Sequence, residues 1–107
     1  MKNQSLDFLR STGRTLADYD GACVVFVGDF IDRQAGWDLA YLEPVRGCLL
    51  YPANGNDPWN HHAVACSPDG LVHDPWFPEL VLPLQEYLEH AFPGQEVFQE
   101  FNPGFDS

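Results

Sequence analysis

Asn60-His61-His62-Ala63-Val64-Ala65-Cys66-Ser67-Pro68-Asp69-Gly70-Leu71-Val72-His73-Asp74-Pro75-Trp76 decides how this chain folds, because it reads as a β-hairpin with its turn chemistry written out. Pro68 presets φ for a type I turn, Asp69 tolerates the next position, and Gly70 can take the positive φ of a bulge. With Pro68-Asp69-Gly70 as the loop, Ser67 opposes Leu71, Cys66 opposes Val72 and Val64 opposes Asp74. Side chains alternate along a strand, so His62, Val64 and Cys66 share a face with Val72 and Asp74, while His61 and His73 fall on the other. His62 lies diagonal to Asp74, roughly 7–8 Å away between backbones, a gap that side chains close. The hairpin thus pairs a histidine with a carboxylate and lacks only a nucleophile.

The flanks of the hairpin frame that pair. Ala53-Asn54-Gly55-Asn56-Asp57-Pro58-Trp59-Asn60 is a loop by its Gly, Pro and Asn content, and it brings Trp59 and Asn60 to the border of any pocket around His62. Beyond Asp74, Pro75-Trp76-Phe77-Pro78 ends the strand and supplies apolar bulk, Trp76 included, to shield the His–Asp contact. A shielded hydrogen bond of this kind is stronger than one in water and fixes the tautomer of the imidazole.

A nucleophile is offered upstream. In Gly21-Ala22-Cys23-Val24-Val25-Phe26-Val27-Gly28-Asp29-Phe30-Ile31 the apolar residues Cys23, Phe26, Val27, Phe30 and Ile31 follow helical spacing, although the valines favour strands. The spacing predicts a helix starting near Asp20 or Gly21, with Asp20 as its cap, Cys23 in its first turn and Gly36 as a stop. Unpaired N–H groups in a first helical turn carry partial positive charge, which stabilises a thiolate and equally an oxyanion. The other use of such a residue is as a small buried hydrophobe.

Elsewhere the pattern is plainer. Ser5-Leu6-Asp7-Phe8-Leu9-Arg10 reads as a short helix capped by Ser5 and closed by Ser11-Thr12-Gly13, followed by a polar approach over residues 15–21. Trp37-Asp38-Leu39-Ala40-Tyr41-Leu42-Glu43 reads as a helical turn halted by Pro44. Val45-Arg46-Gly47-Cys48-Leu49-Leu50-Tyr51 reads as a strand with Cys48 in the core. Residues 83–92 form an amphipathic helix with Pro83 near its start, Leu84, Tyr87, Leu88 and Ala91 inward, and Gly94 after its end. Residues 95–101 alternate as a last strand, and residues 102–107 form a loose tail.

Composition bounds what these elements can do. The 107 residues, 45% hydrophobic and 14% aromatic, suit one domain with a single modest core, expected over residues 21–101. Sixteen acidic against five basic side chains leave a net charge of −11, which argues against nucleic acid as a partner and favours a basic protein surface. Cys23, Cys48 and Cys66 are too few and too widely spaced for a disulfide framework or a zinc site. No apolar run is long enough for a bilayer and Met1–Asp7 has no apolar signal segment, so a cytoplasmic protein without membrane contact is expected.

Gly21-Ala22-Cys23 opening a helix, His62-Ala63-Val64 opening a strand, and Asp69-Gly70-Leu71-Val72-His73-Asp74-Pro75 closing the hairpin occur in the order thiol, imidazole, carboxylate. In this the chain resembles the papain-like thiol hydrolases, taken broadly to include transglutaminase-like domains and small bacterial papain-fold toxins and deamidases. The resemblance spans roughly residues 21–92. It implies an α+β domain with N-terminal helices packed on a small antiparallel sheet, and a hydrolase or acyltransferase working on an amide, thioester or isopeptide bond of a protein or peptide.

By that resemblance Cys23 is the nucleophile, His62 the general base and later acid, and Asp74 the group that orients the imidazole, with no metal or cofactor. Tyr19, or backbone N–H groups alone, would serve the oxyanion, and Trp59, Asn60 and Trp76 the substrate pocket. Two other readings compete. One is an acidic binding or inhibitor protein with incidental histidines. The other is a degenerate metallophosphoesterase, since Gly28-Asp29-x-x-Asp32-Arg33 after a valine run and Gly55-Asn56-Asp57 are similar to parts of that family's metal-binding strands and loops.

Overall fold

The computed structural model describes residues 2–19, 21–45 and 47–103. Its hairpin forms in the register that the turn dictates. Strands β2 (His62–Cys66) and β3 (Val72–His73) pair antiparallel, with Cys66 opposite Val72 and Ala65 opposite His73. Gly70 adopts φ +83° and its N–H donates to the Ser67 carbonyl at 2.9 Å, as a type I turn followed by a bulge requires. The Ser67 hydroxyl reinforces the corner, accepting from the Leu71 N–H and donating to the Asp69 carboxylate.

Two further strands complete a four-stranded antiparallel sheet, β1 (Asp38–Pro44) and β4 (Val97–Phe101), in the order β3-β2-β1-β4. The expected helical turn over residues 37–43 is therefore corrected: this segment is the strand β1, hydrogen-bonded on both sides. Its pattern of burial shows why. Ala40 and Leu42 pack on one face of the sheet and Leu39 on the other, and an apolar run buried on both faces carries no clean period.

The expected strand over residues 45–51 is also corrected. Gly47 turns the chain at φ +80°, and among the described residues of this segment only Leu50 pairs, in an isolated bridge with Trp59. Cys48 is exposed as a result rather than in the core.

Helices cover both faces of the sheet. Helices α1 (Gln4–Thr12) and α2 (Cys23–Ile31) pack on the face of Leu39, Ala63 and Ala65. Helix α3 (Leu84–Ala91) packs on the face of Ala40, Leu42, Val64 and Val72. In α2 the buried residues are Cys23, Phe26, Val27 and Phe30, the stripe read from the sequence. Ala63 and Ala65 leave room beneath it, so α2 lies close along β2 with its first turn towards the end of the sheet where His62 sits. That approach positions the site.

Two caps differ from expectation. Asn3, not Ser5, caps α1, because its side chain accepts from the Ser5 N–H and hydroxyl and so buries Ser5. For α2 the N-cap position is Ala22, without a side-chain cap, after Gly21 turns the chain at φ +75°. Asp20, the expected cap, lies outside the described residues. In the tail, the Asn102 side chain accepts from the Leu39 N–H and donates to Asp38, and residues 104–107 lie outside the described residues. Among the described residues no helix is long and apolar enough to cross a membrane.

His73 joins α1 to the sheet. On the face opposite His62, its Nδ1 accepts the Gln4 N–H at 3.0 Å and its ring meets Trp37 edge-on. Burial holds its pKa below the usual 6.5, against the pull of the Asp69 charge. Neutral His73 is the acceptor, so this contact stabilises fully above pH 6.5 and is lost as pH falls through the depressed folded value. Thermal unfolding followed from pH 7 to pH 5 should show an acid limb that His73→Asn flattens, because an amide oxygen can accept from Gln4 without titrating. An unchanged limb in that variant would remove His73 from the account.

Candidate active site

Burying a carboxylate is tolerable only when donors replace water around it, and Asp74 meets that requirement with three. His62 Nε2–H reaches Oδ2 at 2.7 Å, the Tyr87 hydroxyl donates to the same oxygen, and the Trp76 N–H donates to Oδ1 at 2.9 Å. Asp74 and His62 are 0% and 2% exposed. Asn3 fixes the main chain here, its side-chain amide donating to the Asp74 carbonyl at 2.9 Å. The same-face parity of His62 and Asp74 thus becomes a direct, water-excluded ion pair.

Burial alone would drive the proton off His62, but the Asp74 charge and hydrogen bond outweigh it. Interaction with the Cys23 side chain adds to them, and the pKa of His62 rises to about 9. The ring is sandwiched as well as paired. Trp59 stacks on it with centroids 4.2 Å apart and planes 27° apart, and Trp76 meets it edge-on at 5.4 Å. An indole face over an imidazolium is a favourable cation–π arrangement.

Cys23, His62, Tyr19, Trp59, Asn60 and Trp76 line one cleft of about 190 Å³, together with Gly21, Pro58 and His61. All the residues singled out from the sequence for nucleophile, base and pocket therefore border the same space, with Asp74 behind the imidazole. Cys23 is the first residue of α2, and the N–H groups of that turn have no partner within the helix. His61, across the strand, stacks on Tyr41 at 5.6 Å. Cys66 is buried away from the cleft, and burial followed by the Asp38 charge pushes its thiol up to about 11.

Tyr87 is the residue that sequence reasoning missed. The helical spacing places it inward on an amphipathic helix, as a packing residue. The available signal was its hydroxyl, since a fully buried tyrosine needs a hydrogen-bond partner and few are on offer in an apolar core. Burial and then the Asp74 charge raise its pKa well above 10, so it acts solely as a donor.

Gly28 and Asp29 lie within α2, and Asp32 and Arg33 in the turn after it, where a phosphoesterase resemblance required a strand leading into a loop. Among the described residues no group of three or more His, Cys, Asp or Glu is placed to hold a metal ion. No family profile, curated protein or solved structure matches the chain.

Proposed function

We propose that the protein is a papain-like, cysteine-dependent hydrolase or acyltransferase that acts on an amide, thioester or isopeptide bond through Cys23, His62 and Asp74. The observation that carries this reading is the buried His62–Asp74 pair opening onto the cleft that Cys23 lines. The α+β fold, with the cysteine opening a helix and the histidine opening a strand of the adjoining sheet, agrees with it.

Cys23 Sγ, as thiolate, attacks the substrate carbonyl carbon, forming a C–S bond and an oxyanion held by N–H groups of the first turn of α2. With Nε2 committed to Asp74, Nδ1 is the nitrogen left to exchange a proton with thiol and substrate. The imidazolium gives its proton to the leaving nitrogen or sulfur as that bond breaks, leaving a thioester and neutral His62. His62 then takes a proton from the incoming water or acceptor nucleophile, whose attack breaks the C–S bond and restores the thiolate–imidazolium pair. The Asp74 charge makes each protonated stage affordable inside the protein.

Alkylation of the intact protein tests this without knowledge of the substrate. Cys48 is exposed and Cys23 is 6% exposed, so accessibility alone ranks Cys48 first. Iodoacetamide at pH 7, with sites read by peptide mass mapping, should modify Cys23 fastest and Cys66 slowest. Labelling in order of exposure would defeat the proposal.

A further inference from the structure

The cleft at Cys23 adjoins a second, larger cavity of about 490 Å³, and Pro58, Trp59 and Trp76 are walls of both. Leu16, Ala17, Asn56 and Asp57 line the rest of it. Its chemistry is lopsided. Trp59, Trp76, Pro58, Leu16 and Ala17 are its apolar residues, and it is bordered by Asp57, whose carboxylate has no ion-pair or hydrogen-bond partner among the described residues. Among the described residues no Lys or Arg lines either cavity. The described cations are engaged elsewhere: Lys2 and Arg10 on Asp7, Arg14 over the ring of Tyr19 and Arg33 over that of Phe8.

Resting on the hydrolase reading above, we infer that this second cavity is the specificity subsite of the enzyme and takes the side chain of a lysine or arginine in a polypeptide substrate. The long aliphatic stem of either residue matches apolar walls, while its charged end suits aromatic rings and a carboxylate. The cavity at Cys23 then holds the acyl group under attack, and the three shared walls set the distance between the two. A protein of net charge −11 also draws basic chains towards it from a distance, in a salt-dependent way. A purely apolar side chain keeps the wall contacts and lacks the charged one, and an acidic side chain meets repulsion.

Blocked tripeptidyl chloromethyl ketones test the assignment, with arginine, norleucine or glutamate placed at each of the three positions in turn. The rate of Cys23 alkylation on the full chain is the readout. At one position the arginine probe should react about tenfold faster than norleucine, a preference of the size expected for one cation–π contact plus one exposed ion pair. Asp57→Asn, at an exposed loop residue, should bring the arginine-to-norleucine ratio several-fold closer to one, as should raised salt. Equal rates for arginine and norleucine at every position, or a ratio that Asp57→Asn leaves intact, would overturn the subsite while the thiol stays reactive. If neither iodoacetamide nor any probe modifies Cys23, the hydrolase reading falls and the subsite with it.

Discussion

Asp74→Ala is expected to destabilise the protein by about 3–5 kcal/mol, the usual cost of removing one partner from a buried ion pair. Three donors lose their acceptor at once: the His62 ring and the Tyr87 hydroxyl, both buried, and the part-buried Trp76 N–H. Domains of this size are stable by about 5–15 kcal/mol in total, so the variant should sit near the edge of folding at room temperature. Urea denaturation monitored by tryptophan fluorescence measures the change. A loss under about 1 kcal/mol, the size of one ordinary neutral hydrogen bond, would mean that the pair is not held as described.

Asp74→Asn separates charge from shape. The amide can still accept from Tyr87, but burial then acts on His62 almost unopposed, and its pKa should fall from about 9 to below 6.5. In the wild type the folded pKa is raised above the unfolded value. The stabilisation it brings, about 3 kcal/mol at most, is complete below pH 6.5 and lost as pH climbs through 9. The asparagine variant should lack that alkaline loss. The two histidines thus contribute pH dependence in opposite directions, His62 on the alkaline side and His73 on the acid side, from opposite faces of the same hairpin.

His62→Gln is expected to slow alkylation of Cys23 at pH 7 by about 100-fold, the low end of what a positioned acid–base group contributes. Glutamine is chosen because His62→Ala would leave Asp74 charged and without its strongest donor, so that loss of folding would mask loss of chemistry. An amide side chain can still donate to Asp74 and lie under Trp59, but it cannot take a proton from the thiol. Turnover of any substrate later found should fall by a similar factor or more. A His62→Gln protein with intact near-ultraviolet dichroism and an undiminished Cys23 rate would separate thiol from imidazole and end the catalytic proposal.

The range of each interaction sets how much of this fold is legible in its residues. The turn at Pro68-Asp69-Gly70 is local chemistry, and once it fixes the register, parity puts His62 and Asp74 on one face and His73 on the other. The stripe of Cys23, Phe26, Val27 and Phe30 is likewise periodic in a single helix, so the first-turn thiol was legible despite the valines. Local signals misled at residues 37–51. There a strand buried between two others looked helical, and an apolar run that a left-handed glycine breaks looked extended.

Local residue order is enough to specify the hairpin, the amphipathic helices α2 and α3, and the pairing of an imidazole with a carboxylate. Long-range packing is what makes residues 38–44 a central strand, lays α2 on Ala63 and Ala65 so that Cys23 and His62 share a cleft, and brings Tyr87 and the Trp76 N–H to Asp74. The division has one physical cause. Turn dihedrals and side-chain alternation act within a few residues, whereas sheet pairing, helix docking and satisfaction of a buried charge depend on which distant groups exclude water together.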